Sequence, residues 1–130
     1  MARILVIDDV PSVTALLRMT LEGRGHAVVE AQDGASGLAE IAKAPFDLVI
    51  VDMMMPGMDG IVLIKHLRTA GAEDKRRPAV IAMSGGTDEF PAAYSLKLSE
   101  MHGADRLLFK PFNNEELLEI VDDLLSNCHS

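Results

Sequence analysis

The chain has 130 residues, 20 Asp and Glu against 12 Lys and Arg for a formal net charge of −8, 48% hydrophobic residues and a single Cys. That length suits one compact domain able to build a core without disulfides or a structural metal, and Cys128 has no second Cys to pair with. The acidic balance, with no basic run longer than Lys75-Arg76-Arg77, is the wrong sign for gripping nucleic acid or an anionic membrane, and no stretch reaches the ~20 apolar residues of a bilayer span. The first residues read as a strand and not as a cleavable signal, so the expectation is a cytoplasmic protein with no nucleic-acid binding and no membrane insertion.

Ile4 to Ile7 is a short continuous apolar run of the kind that suits a strand covered on both faces. It ends in Asp8-Asp9-Val10-Pro11. Pro11 is tolerated in a first helical turn, and Val13, Leu16, Leu17, Thr20 and Leu21 recur at helical spacing until Gly23 and Gly25. Ala27 to Ala31 is a second strand. Asp33 can cap the following helix, whose predicted apolar face is Ala35, Leu38, Ala39 and Ala42. Asp47 to Asp52 is the third strand, and Met53 to Gly60 follows as a loop rich in turn residues. Ile61, Ile64 and Leu67 mark another helix, and Ala79 to Met83 a fourth strand ending at Ser84. Tyr94, Leu98 and Met101 share one face of a helix over Pro91 to His102. Arg106 to Phe109 is the fifth strand, followed by Lys110-Pro111. A last helix is capped by Asn113 or Asn114, carries Glu115 and Glu116 in its first turn, and turns Leu117, Leu118, Val121, Leu124 and Leu125 inward.

This is a (βα)5 pattern. Short links between alternating elements imply a doubly wound five-stranded parallel sheet with helices on both faces. In such sheets the ligand site lies beyond the carboxyl ends of the strands. Those ends carry Asp8 and Asp9, Asp52, Ser84 and Lys110. Three carboxylates brought together repel unless a cation joins them, and an all-oxygen set without His or Cys favours a hard ion, with Mg²⁺ the best fit. Lys110 adds a positive charge and Ser84 a hydroxyl. The group is suited to phosphoryl transfer, with Asp52 the candidate nucleophile.

Asp8-Asp9, Asp52 with Met55-Pro56-Gly57-Met58-Asp59-Gly60, Ser84, and Lys110-Pro111-Phe112 together resemble the signature of response-regulator receiver domains of two-component systems, across essentially the whole chain. The resemblance implies a flavodoxin-like receiver fold and a signalling protein rather than an enzyme, with only self-phosphorylation and dephosphorylation chemistry. By it, Asp52 accepts a phosphoryl group from a phosphohistidine on a histidine kinase or histidine phosphotransfer protein. Asp9 ligates Mg²⁺ directly, Asp8 assists through water, Asp52 and the backbone carbonyl of Met54 complete the protein ligands, and Ser84 and Lys110 bind the phosphoryl oxygens. Pro56, Asp59-Gly60 and Pro111 read as backbone-shaping residues, His66 and His102 as surface histidines, and Cys128 as an inert thiol. The Met53, Met54, Met55 and Met58 cluster reads as structural rather than as a soft-metal site.

The chain departs from the family at Leu107, where many receivers carry Tyr or Phe as a rotamer switch, and in a longer stretch between Ser84 and Lys110. Phosphorylation is therefore expected to reorder residues 85–94. Met54 and Gly86 offer no polar side chain to orient water, which implies unremarkable or slow self-dephosphorylation. With one helix after the fifth strand, residues 1–130 read as a single receiver without an output domain, its output a contact with a downstream protein target. A relay intermediate and a phosphorylation-independent pseudo-receiver are the alternatives. A monomer is expected, or a weak dimer through the apolar face of the helix over 91–102.

Overall fold

The computed structural model describes residues 2–52, 78–85, 105–110 and 112–127. The elements in chain order are β1 (Arg3–Ile7), α1 (Pro11–Glu22), β2 (Ala27–Ala31), α2 (Gly34–Lys43), β3 (Leu48–Asp52), β4 (Ala79–Gly85), β5 (Arg106–Lys110) and α3 (Asn114–Asn127). The helices expected around Ile61 to Leu67 and over 91–102, the loop 53–60 and Pro111 lie outside the described residues. So do residues 86–94, His66, His102 and Cys128.

All five strands are parallel, in the order β2-β1-β3-β4-β5. Strand order reverses between β1 and β3, which makes a crevice at their carboxyl ends. Ile4 to Ile7 on β1 and Leu48 to Val51 on β3 are fully buried. Side chains alternate between faces along a strand, so this pair of strands feeds two cores. Ile4, Val6, Leu48, Ile50, Ile81 and Met83 meet Leu17 and Leu21 of α1 and Leu117, Val121 and Leu124 of α3. On the other face Leu5, Ile7, Val49, Val51, Val80 and Ala82 pack with Phe46 and, from α2, Leu38 and Ile41. Each such side chain contributes about 1.5–3 kcal/mol by leaving water, which explains why unbroken apolar runs form the two central strands.

The amino edge of the sheet is stitched by backbone and side chain together. Asp47 donates its amide to the Arg3 carbonyl at 2.9 Å and its carboxylate accepts the Arg3 amide at 2.9 Å. The Arg3 guanidinium lies 4.9 Å from the Phe46 ring centroid. Asp105 ties β5 to β4 in the same way, accepting the Val80 amide at 2.8 Å and donating its own to the Val80 carbonyl at 2.9 Å. The caps follow the sequence: Asp33 accepts the Ser36 amide at 2.7 Å and Asn113, rather than Asn114, accepts the Glu116 amide at 2.7 Å.

Two helix faces differ from the pattern expected. On α2 the buried residues are Gly34 and Gly37, with Leu38 and Ile41 partly buried, while Ala35, Ala39 and Ala42 are exposed. The helix sits so close to β1 that a Cβ on Gly37 would lie 2.5 Å from Ile7 Cδ1, and only glycine permits that approach. On α1, Leu16 is 51% exposed and the buried positions are Thr14, Leu17 and Leu21. On α3 the inward set is as expected, with Ile120 added.

Replacing Gly37 by Val crowds the fully buried Ile7 side chain, which must shift to make room. The expected cost is about 1–3 kcal/mol, read from the urea midpoint. A second expectation concerns His26, whose Nδ1 accepts the Ala2 amide at 3.2 Å. Burial holds its imidazole below the ordinary value of 6.5, against the pull of Asp122. Its folded pKa is thus depressed, so this contribution to stability is whole above the unfolded value and is lost as pH falls through the folded one. Between about pH 7.5 and 5.5 the wild-type midpoint should fall more than that of His26→Gln.

Candidate functional site

The β1–β3 register pairs Ile7 with Val51, so one step further along both strands stand Asp8 and Asp52. Parity puts both on the face that carries α1 and α3, because Val6 and Ile50, two residues earlier, belong to that core. Asp8 is 0% and Asp52 3% exposed. Asp9, the next residue along, is exposed, and one carboxylate oxygen from each of Asp8, Asp9 and Asp52 lies within 4.8 Å of the others.

Three acids this close need compensation. Asp8 is partly provided for: its Oδ1 accepts the Val10 amide at 2.9 Å and its own amide donates to the Ala31 carbonyl at 3.1 Å. A hard divalent cation suits the cluster, since it offers carboxylate oxygens and, among the described residues, no sulfur or imidazole.

Ser84 and Lys110 lie at the same edge of the sheet. Asp52 pairs with Met83 on β4, one residue before Ser84, and Lys110 is the last residue of β5, paired with Gly85. The backbone thus brings the polar-ended termini of four of the five strands into one row. Met54 and its carbonyl, and Gly86, lie outside the described residues. Leu107 is the second residue of β5, paired with Ala82.

Sequence reasoning missed the third buried polar residue. Among the described residues, Asp8, Thr14 and Asp52 are the buried polar or charged groups, and Thr14 is 0% exposed. The signal was available: Thr14 lies three residues before Leu17 and seven before Leu21, inside the apolar stripe of α1.

With this geometry in view, comparison with known proteins is specific. Residues 4–122 match the family model for the response regulator receiver domain. Protein PilH of Pseudomonas aeruginosa is 32% identical over 126 residues, which cover 97% of this chain and 99% of PilH. The transcriptional regulatory protein ResD of Bacillus subtilis is 32% identical over 123 residues, 95% of this chain and 48% of ResD. The chain spans about half the length of several curated relatives it matches, ResD and PhoP of Bacillus subtilis among them. Among solved structures, chemotaxis response regulator CheY4 of Vibrio cholerae superposes with a TM-score of 0.82 at 30% identity, covering 95% of this chain and 98% of that one. A receiver domain protein from Clostridium thermocellum gives 0.85 at 26% identity, covering 98% and 96%. The chain belongs to the response regulator receiver domain family, and is homologous to two-component response regulators.

Of the three clustered acids Asp9 is the exposed one, and its charge repels the other two. Asp9→Asn should therefore raise stability in metal-free buffer by about 1 kcal/mol, the Coulomb energy of two unit charges about 4 Å apart in water. Added Mg²⁺ should raise the urea midpoint of wild type and leave that of Asp9→Asn nearly unmoved.

Proposed function

We propose that this receiver accepts a phosphoryl group on Asp52 from the phosphohistidine of a histidine kinase or histidine phosphotransfer protein, and that phosphorylation switches a contact with a downstream protein. The observation that carries the reading is the trio of Asp8, Asp9 and Asp52 at the strand-order reversal of a receiver-family sheet. Asp52 supplies the nucleophile: one carboxylate oxygen forms the new P–O bond while the P–N bond to the donor imidazole breaks. The departing nitrogen keeps the bonding electron pair and takes up a proton. Asp8, Asp9, Asp52 and the Met54 carbonyl would hold Mg²⁺, with Asp8 acting through water. A bound Mg²⁺ supplies charge neutralisation at phosphoryl oxygens and offsets repulsion among the three acids. Lys110 and Ser84, whose backbone stands at the same edge, would meet the phosphoryl oxygens from the far side of the crevice.

Two features support a stand-alone cytoplasmic switch. PilH is matched over nearly its whole length, and among the described residues no helix is long and apolar enough to cross a membrane. On this reading the protein does no chemistry beyond its own phosphorylation and dephosphorylation, works as a monomer or weak dimer, and binds proteins rather than nucleic acid. A relay role, in which Asp52 passes the group to a second histidine, uses the same site.

Incubation of wild type and Asp52→Ala with a small acyl phosphate and Mg²⁺ tests the acceptor. Wild type should gain an aspartyl phosphate, seen as a mass increase and lost on mild alkaline treatment, and Asp52→Ala should gain none. Label that survives the substitution would overturn the assignment.

A further inference from the structure

Consecutive residues at the end of β2 hold both ends of the segment that carries Asp9. The Asp8 amide donates to the Ala31 carbonyl at 3.1 Å. The next residue, Gln32, donates through Nε2 to Thr14 Oγ1 at 3.2 Å, and the Thr14 hydroxyl donates onward to the Pro11 carbonyl at 3.0 Å. The direction of this chain is compulsory. A carbonyl only accepts, so the single hydroxyl proton goes to Pro11 and the Gln32 group facing Thr14 must be its NH₂. Thr14 is 0% exposed, where a hydroxyl without partners is costly.

These bonds stand in for an anchor that α1 otherwise lacks. Its N-cap is Val10, which has no side-chain oxygen to receive an amide, and Pro11 at the first turn has no amide hydrogen. The start of α1 is held instead by Asp8 Oδ1 on the Val10 amide and by the Gln32–Thr14–Pro11 chain. Between the two ties lies Asp9, the exposed member of the trio and so the one whose position packing alone does not hold. A carboxylate on a tethered backbone loses less freedom on taking up an ion than one on a loose turn.

We propose that Gln32, acting through Thr14, is a positioning residue that presents Asp9 to the divalent cation of the site. The inference rests on the reading of Asp8, Asp9 and Asp52 as a Mg²⁺ site and assigns the tightness of that site to a side chain on the link between β2 and α2, outside the acidic trio itself. Gln32 is exposed and is not a member of either apolar cluster, so its loss should leave the fold intact.

Calorimetric titration of the full chain with MgCl₂ tests it on wild type, Gln32→Ala, Thr14→Val, the double variant, Thr14→Ser and Asp9→Asn. Gln32→Ala and Thr14→Val should each weaken Mg²⁺ binding by about tenfold, the low end of what loss of an outer hydrogen-bond partner costs. The double variant should bind no more weakly than either single one, because both remove the same chain. Thr14→Ser keeps the hydroxyl and should bind as wild type does. Urea unfolding of Gln32→Ala should show a single cooperative transition well above the titration conditions, so that weaker binding by the folded variant reports positioning without depending on Thr14→Val folding. Equal Mg²⁺ affinity in wild type and Gln32→Ala, with Asp9→Asn weakened, would overturn the positioning role and leave the metal site standing. Failure of wild type itself to bind would overturn both.

Discussion

The parallel pairing of β1 with β3 is the constraint on which everything else rests. With Ile7 opposite Val51, the next residues of the two strands, Asp8 and Asp52, come side by side on one face. No other register achieves this: a slip of one residue would move one carboxylate to the opposite face and into the layer of α2. The register is in turn held by eight fully buried side chains, four from each strand, which fill both cores. Apolar packing thus forces acids together at a place where they repel.

That tension explains the arrangement around the crevice. Several hydrogen bonds gather there: the Val10 amide on Asp8, the Asp8 amide on Ala31, and the chain from Gln32 to Pro11. By contrast, the ion pairs that link the turn after α1 to α3 and β5 to α3, Arg24 with Asp122 and Arg106 with Asp123, are solvent-exposed and contribute little. Three clustered acids make this crevice the place in the described sheet where a change of charge acts most directly on its neighbours. Receivers of this family are signalling domains, and in a crevice of that kind an added phosphoryl charge changes the local electrostatics.

Much of the fold was legible in the residues. The strands announce themselves as short β-branched and Leu runs ended by acids, Ser or Lys, because a strand covered on both faces has no polar position to spare. Asp33 and Asn113 were legible as caps for an equally local reason: a side-chain oxygen meets an amide three residues on. The helix faces were less so. Ala35, Ala39 and Ala42 fit the period of an apolar stripe on α2, yet the face turned to the sheet is the one with Gly34 and Gly37. Ala is small enough to be indifferent between burial and exposure, whereas closeness to Ile7 is a demand only the assembled sheet makes. Leu16 likewise fits the stripe of α1 and lies outside it. Thr14 passed unnoticed because a hydroxyl counts against burial until its two partners are known, and one of them, Gln32, comes from another element.

The sequence by itself determined the identity of the chemistry. Three acids, a Ser and a Lys at the ends of apolar runs specify which strand ends meet, since alternating strands and helices permit one sense of winding and one ligand edge. Which residues hold those groups in place was decided only by tertiary structure. Hydrogen bonds such as Gln32 to Thr14, 18 residues apart, and close approaches such as Gly37 on Ile7 depend on how helices settle against the sheet. Local pattern carries no record of that settling, because it is a property of distances between elements and not of any one of them.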